Sequence, residues 1–297
     1  MAKKKEFTFI DLFAGIGGFH LACHNQGGEC VFVSEWDEPA RETYTANFKK
    51  IAPKIFDKKG NPTDLFVGDI TKVDENDIPD FDLLCAGFPC QPFSQAGLKK
   101  GFEDTRGTLF FDIARIIKKK KPKAVFLENV RGLRNHDGGK TFEVICNTME
   151  QLGYNFHTQI IKASDYGVPQ NRPRLFMVGI RKDLKDTFSF PEPIELTKTM
   201  SDIFDGKKCN REIGFTLRVG GRGSNINDRR NWDSYLVDGE VVRIGPKEGK
   251  RLQGFPDSFE FPVCESQAMK QLGNSVAVPA VEATVREIKR VLKENKC

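Results

Sequence analysis

The chain has 297 residues, with 46 Lys+Arg against 41 Asp+Glu for a formal net charge of +5, and a mean hydropathy of -0.44. That length suits one large or two modest domains around a real apolar core, and no stretch approaches the ~20 consecutive apolar residues that a membrane-spanning helix needs. Eight scattered cysteines without a Cys-x-x-Cys pair, behind a basic start (Lys3–Lys5) whose apolar continuation is cut by Asp11, predict reduced thiols in a cytoplasmic protein rather than a disulfide framework or a zinc ribbon.

In chain order, short apolar runs alternate with helical patterns, as in a parallel α/β sheet. Phe7–Phe13 reads as a strand running into a glycine turn, Ala14-Gly15-Ile16-Gly17-Gly18, with a helix from Phe19. Val31–Ser34 is the next strand, with Glu35 at its C-terminal end. Phe81–Ala86 follows and leads into Gly87-Phe88-Pro89-Cys90-Gln91-Pro92. The lysine run Lys118–Lys121 ends a helix, where the macrodipole favours cations. Ala124–Leu127 is a strand ending in Glu128, and Leu175–Ile180 follows Gln170-Asn171-Arg172-Pro173-Arg174. From residue 188 onward Pro191, Pro193 and many glycines break the periodicity, and Val276–Lys296 regains a helical pattern that should pack back on the first part. The expectation is an α/β fold with a doubly wound, mostly parallel sheet. Residues 1–187 and 270–297 would form a discontinuous first domain, and 188–269 a smaller, loop-rich β domain with its hinge. Within that second part, 207–230 carries seven basic and two acidic residues, as much net charge as the whole chain, which leans toward a polyanionic partner.

Open α/β sheets gather ligands at the carboxyl ends of their strands, so Glu35, the 87–90 loop and Glu128 imply one cleft. The Gly-x-Gly-Gly turn allows close backbone approach, and Glu35, 20 residues after Gly15, can accept from ribose hydroxyls. The glycine spacing suits an adenosine cofactor without a pyrophosphate better than NAD. Trp36 would stack on an adenine or simply pack. Cys90, in a Pro-Cys-Gln-Pro loop after a strand, is placed as a nucleophile, whereas Cys85 inside the strand reads as buried and inert. Glu128 among apolar neighbours should feel desolvation and hold a proton near neutrality; the alternative is an ordinary ion pair. Arg172 and Arg174, two apart, would point the same way in an extended segment and suit phosphate or carboxyl recognition, or ion-pair at the surface. His20 and His24 have i, i+4 spacing but no third ligand, so no metal is expected.

Taken together, Phe13-Ala14-Gly15-Ile16-Gly17-Gly18, Gly87 through Ser94, Glu128-Asn129-Val130, Gln170 through Arg174 and Gln271-Leu272-Gly273-Asn274-Ser275-Val276 occur in one order that resembles the bacterial cytosine-5 DNA methyltransferases. The resemblance covers nearly the whole chain except about 188–240. It implies a Rossmann-like methyltransferase fold and S-adenosylmethionine as cofactor, leaving S-adenosylhomocysteine. By the same resemblance Phe13, Gly15, Gly17, Glu35, Trp36, Asp69, Ile70, Gly87, Pro89, Leu109, Asn274 and Val276 surround the cofactor, Glu35 at its ribose and Asp69 with Ile70 at its adenine. It further implies that a cytosine is flipped from duplex DNA, that Cys90 attacks C6, and that Glu128 acts at N3. Arg172 would stabilise the flipped base and Glu128, with Arg174 supporting the catalytic loop or a phosphate. Ser94–Gly107, with Arg106, has the makeup of a loop that closes on DNA. DNA contacts are expected from Gln91, Ser94 and Arg106 there, and from Arg218 and Arg222 in the second domain.

The expected setting is restriction-modification in the cytoplasm, by a monomer on double-stranded DNA, with no membrane contact and a restriction endonuclease encoded nearby. The nearest rival keeps the chemistry and changes the polymer to tRNA; the compact Arg/Gly-rich reader favours DNA. An NAD enzyme leaves Cys90, Glu128 and the arginine pair unexplained. A catalytically dead DNA-binding module would lack the nucleophile or the acid, and both are present.

Overall fold

The computed structural model describes residues 5–89 and 109–296. Seven strands form one sheet: β1 (Phe7–Leu12), β2 (Gly28–Ser34), β3 (Phe66–Val67), β4 (Leu83–Gly87), β5 (Ala124–Val130), β6 (Tyr154–Lys162) and β7 (Pro173–Arg181). Their spatial order is β3-β2-β1-β4-β5-β7-β6. Pairing is parallel from β3 to β5 and antiparallel where β7 meets β5 and β6. The sheet is the doubly wound, mostly parallel one expected. The chain leaves β1 toward β2 and β3 and returns to β4 on the other side of β1, which creates a switch point between β1 and β4.

Alternate side chains of each strand enter two cores, as the pleat requires. Phe9, Val33, Leu83, Phe126 and Val178 face one side; Ile10, Leu12, Leu84, Leu127 and Met177 face the other. The first side is covered by α1 (Gly18–Asn25) and α8 (Val278–Glu294), the second by α3 (Leu109–Lys120) and α4 (Lys140–Gln151). α8 carries Val281, Val285, Ile288, Val291 and Leu292 at helical spacing, all buried. Such a stripe is worth on the order of 10 kcal/mol before chain entropy, which explains why the C-terminal segment returns to the first part of the fold.

The second region is sparse in regular structure, as expected: α5 (Met200–Ile203), the hairpin β8 (Ser234–Val237) and β9 (Glu240–Arg243), and α6 (Pro246–Gln253). Its buried Met200, Leu217, Trp232, Tyr235 and Leu252 are continuous with the core under α8. α7 (Glu265–Asn274) and α2 (Glu38–Phe48) complete the helices used below. Among the described residues no helix is long and apolar enough to cross a membrane.

Each strand read from the sequence shifts by one to three residues at one or both ends, β2 starting at Gly28 and β7 spanning Pro173–Arg181, and two strands are not read from it. β5 runs on through Glu128 to Val130, because β7 continues to pair with it as far as Arg174. β3 and β6 do not stand out in the sequence: β3 is two residues long, and β6 is a half-buried edge strand of mixed polarity.

Candidate active site

The glycine turn after β1 is built for close packing. Phe13, Gly15 and Gly17 all have positive φ (57°, 55° and 84°). A Cβ on Gly17 would lie 2.3 Å from the Phe48 ring, and one on Gly18 would lie 2.6 Å from Val276. Gly15, by contrast, faces open space, so its lack of a side chain leaves room for a ligand rather than for the core. Glu35 stands over this turn, buried, accepting the Gly15 amide at 2.7 Å and the Asp37 amide at 2.8 Å. Burial raises its pKa against the pull of those amides. Beside it Trp36 is 83% exposed, so packing does not account for its ring.

The second corner lies across β4, β5 and β7. Gly87 is in register with Glu128 and puts no side chain beside it; a Cβ there would lie 3.7 Å from Oε2. Arg174 sits opposite Val130 and Phe176 opposite Glu128, so Arg174 is the diagonal neighbour of Glu128 on one face. Its Nε lies 3.1 Å from Glu128 Oε1. Burial raises the Glu128 pKa, opposed by Arg174 and then Arg172. Next in the strand, Asn129 donates to the Phe88 carbonyl at 2.9 Å and fixes the end of β4 against β5.

Arg172 departs from expectation. It is 2% exposed, and among the described residues its hydrogen bonds go to backbone carbonyls rather than to a carboxylate. Nη1 donates to Leu217 O at 3.0 Å, and Nη2 to Gly273 O at 2.8 Å and Ser275 O at 2.5 Å. The reason is its place just before β7, where the chain meets the 217 segment and the end of α7. Only Nε is without a partner among the described residues. Burial lowers its pKa to about 9, which leaves it charged at neutrality. Thus Arg174 holds Glu128, while Arg172 binds three chain segments together. Gln170 and Gln253 extend the same junction. Gln170 accepts the Leu217 amide at 3.1 Å and donates to Leu252 O at 2.8 Å, and Gln253 donates to Leu272 O at 2.6 Å.

The remaining expected site residues divide clearly. Asp69 accepts from the Thr71 amide and hydroxyl and faces Lys72, while Ile70 is buried. Leu109 opens the described part of α3, Asn274 is exposed at the end of α7, and Val276 packs on Gly18. Pro89 is exposed at the exit of β4. Cys90, Gln91, Ser94 and Arg106 lie outside the described residues. Arg218 is exposed. Arg222 is turned inward, donating to Glu265 at 3.0 Å and to Ile244 O at 2.8 Å beside Asp233, because a buried carboxylate lies within its reach; its guanidinium serves the fold. His20 packs against Tyr44 and Phe48 in the core, its pKa lowered to about 3 by burial. Sequence reasoning does not single out Asn129, Gln170 and Gln253 as site residues. Asn129 and Gln170 lie in motifs that carry the resemblance, but their partners, like those of Gln253, belong to distant segments that the local sequence does not reveal.

The model of the C-5 cytosine-specific DNA methylase family matches residues 7–235 and 211–290. The chain is 42% identical to the Type II methyltransferase M.HhaI of Haemophilus parahaemolyticus, over 94% of each chain. It is 45% identical to M.HpaII of Haemophilus parainfluenzae, over 96% of this chain and 90% of that one. The solved structure of the Dnmt2 methyltransferase of S. pombe superposes with a TM-score of 0.72 at 20% identity, over 97% of this chain and 99% of that one, a likeness of fold. The chain therefore belongs to the C-5 cytosine-specific DNA methylase family and is by class a DNA cytosine-5 methyltransferase.

Proposed function

We propose that this protein flips a cytosine out of a short duplex DNA sequence and methylates its C5, using Cys90 as nucleophile and Glu128 with Arg174 as the groups that bind and protonate the ring. The observation that carries the reading is the Glu128–Arg174 pair beside the side-chain-free Gly87, at the carboxyl end of the strand that leads to Cys90. A flipped base is the kind of ligand such a gap admits, since C5 and C6 are shielded within the stack.

The residues present fit an adenosine-bearing methyl donor. Gly15 leaves open space, the Glu35 carboxylate stands where a ribose would present hydroxyls, and the Trp36 ring is exposed beside it. Phe13, Gly17, Asp69, Ile70, Pro89, Leu109, Asn274 and Val276 would complete the enclosure. S-adenosylmethionine bound there supplies a methyl group on a sulfonium, an electrophile that unactivated cytosine C5 attacks poorly. Addition of the Cys90 thiolate to C6 makes C5 enamine-like. The ring's negative charge builds toward N3, where Glu128, whose pKa burial raises, donates a proton or hydrogen bond. Arg174 orients that carboxyl, and Arg172, with three of its five N–H groups held by backbone carbonyls, would offer the base its unpartnered Nε proton. A base then takes the C5 proton, the C–H electron pair re-forms C5=C6 as the Cys90 thiolate leaves, and the N3 proton returns to Glu128, which restores the aromatic ring.

Gln91, Ser94, Arg106 and Arg218 would contact the duplex. Arg222 would support their scaffold, since its guanidinium is already bound within the protein. The setting proposed is restriction-modification, by a monomeric cytoplasmic enzyme whose companion endonuclease is encoded nearby; Type II methyltransferases among the relatives support it. The test is to incubate the protein with S-adenosylmethionine and plasmid DNA or, in parallel, tRNA, and to identify modified nucleosides by mass spectrometry. 5-Methylcytosine in DNA is expected. Its appearance in tRNA alone would overturn the polymer, and N4-methylcytosine would overturn the reacting atom.

A further inference from the structure

The segment 217–223 forms an arch clamped at both ends. Its base is held by the catalytic part: Leu217 O and N bond Arg172 and Gln170, and the Arg218 carbonyl sits so close to Gly273 that a Cβ there would lie 2.4 Å away. Its tip, Gly220-Gly221-Arg222-Gly223, is held by two adjacent buried residues. Trp232 Nε1 donates to Gly220 O at 3.1 Å, and Asp233 Oδ2 accepts the Gly223 amide at 3.2 Å. Asp233 is 0% exposed and also faces Arg222 Nε at 3.5 Å and Arg243 Nε at 3.2 Å, while its own carbonyl accepts the Ile244 amide at 2.8 Å.

The tip itself is bare. Gly221 and Gly223 have φ of 79° and 90°, a conformation that disfavours side chains. A Cβ on Gly220 or Gly223 would meet nothing within 4 Å. These glycines therefore do not serve packing on their exposed side, and Arg218 and Val219 beside them are exposed. A side-chain-free arch next to an exposed arginine suits close approach to a groove, and an arch that must read base edges has to be rigid before it docks.

The structure assigns Trp232 and Asp233 as positioning residues for target-sequence discrimination: from inside the fold they fix the shape in which the 218–223 arch meets DNA. This rests on the proposed reading of the arch as a DNA contact. Neither residue touches the duplex; each acts through a hydrogen bond to the arch backbone, and Asp233 also through the inward-turned Arg222.

Trp232→Phe removes the donor to Gly220 and keeps a ring in the core. Asp233→Asn keeps the shape and removes the charge that faces Arg222 and Arg243. Both are compared with the parent and with Arg218→Ala by methylating a plasmid and a bacterial genome in vitro and sequencing for 5-methylcytosine, which reads out the recognised motif directly from the methylated positions. Each clamp variant is expected to raise the KM for DNA about tenfold and to increase methylation at sites one base away from the parent motif, with affinity for S-adenosylmethionine within about twofold. The unchanged cofactor affinity separates positioning from general unfolding. Gly220→Ala, which adds a methyl group to the exposed arch without filling the core, is expected to weaken DNA use in the same direction. A parent-like motif and KM in both clamp variants, with Arg218→Ala altered, would overturn the positioning role and leave the arch as a DNA contact. A parent-like motif in Arg218→Ala and Gly220→Ala as well would overturn the DNA reading of the arch itself.

Discussion

The Glu128 corner and the 217–223 arch treat charge in opposite ways. At the corner, a buried carboxyl is held by one guanidinium and left open on the Gly87 side, with burial raising its pKa. At the arch, the charges are turned into the protein: Arg222 is engaged by Glu265, Ile244 O and Asp233, and the surface offered outward is glycine backbone with Arg218. In the proposed reading, one region serves proton donation to the base and the other presents a fixed shape for recognition. Arg172 joins them, with Arg174 and Glu128 on one side and the carbonyls of Leu217, Gly273 and Ser275 on the other.

The comparison can be broken at either end. Glu128→Gln keeps the size and removes the proton donor, so the methylation rate should fall about 10³-fold with DNA still bound. Single-turnover rates beside DNA affinity measure this, and a fall in affinity alone would make Glu128 a binding group. Arg172→Ala strands the buried carbonyls of Leu217 and Gly273 and leaves Ser275 O to Gln253 alone, which should cost about 3 kcal/mol of stability in denaturant unfolding. Arg174→Ala should chiefly slow the reaction, because Arg174 bonds the Glu128 carboxyl and the carbonyl of its own neighbour Pro173, and so leaves no backbone carbonyl of another segment unpaired. Equal stability losses in the two arginine variants would erase the distinction drawn here.

Gly273→Ala sharpens the junction. Helix propensity favours alanine by up to about 1 kcal/mol, but the new methyl would meet the Arg218 carbonyl, which is backbone and cannot swing aside. The clash should win, with a net loss of about 1–2 kcal/mol and weaker use of DNA as the arch base shifts. The smallest expected effect is a pH dependence. Burial raises the Glu128 pKa in the folded state above its unfolded value. Its contribution to stability is therefore present in acid, below the unfolded pKa, and is lost as pH rises through the folded one. Melting temperatures of Glu128→Gln and the parent should converge in acid and separate toward neutrality, with the variant the more stable.

The two regions also differ in how far the sequence reveals them. Apolar runs ending in Glu35, Gly87 and Glu128 announce strands and a ligand cleft, because strand periodicity and end position are local properties. The roles of Arg172 and Arg174 are not local: two residues of the same type, two apart, meet different partners because β7 begins between them. The shape of the arch is the least legible part. Trp232, Asp233, Glu265 and Gly273 determine it from 10 to 43 residues away or more, and nothing in a glycine- and arginine-rich run tells which arginine turns inward.

The central claim, covalent attack on a flipped cytosine from the Glu128 corner, is tested most directly with duplex DNA carrying 5-fluorocytosine and tritiated S-adenosylmethionine. The C5 fluorine cannot leave as a proton would, so the enzyme should appear on a denaturing gel as a labelled protein–DNA adduct that is lost in Cys90→Ser while that variant still binds the cofactor. An adduct of equal yield in Cys90→Ser, or full turnover by that variant on ordinary DNA, would contradict the account.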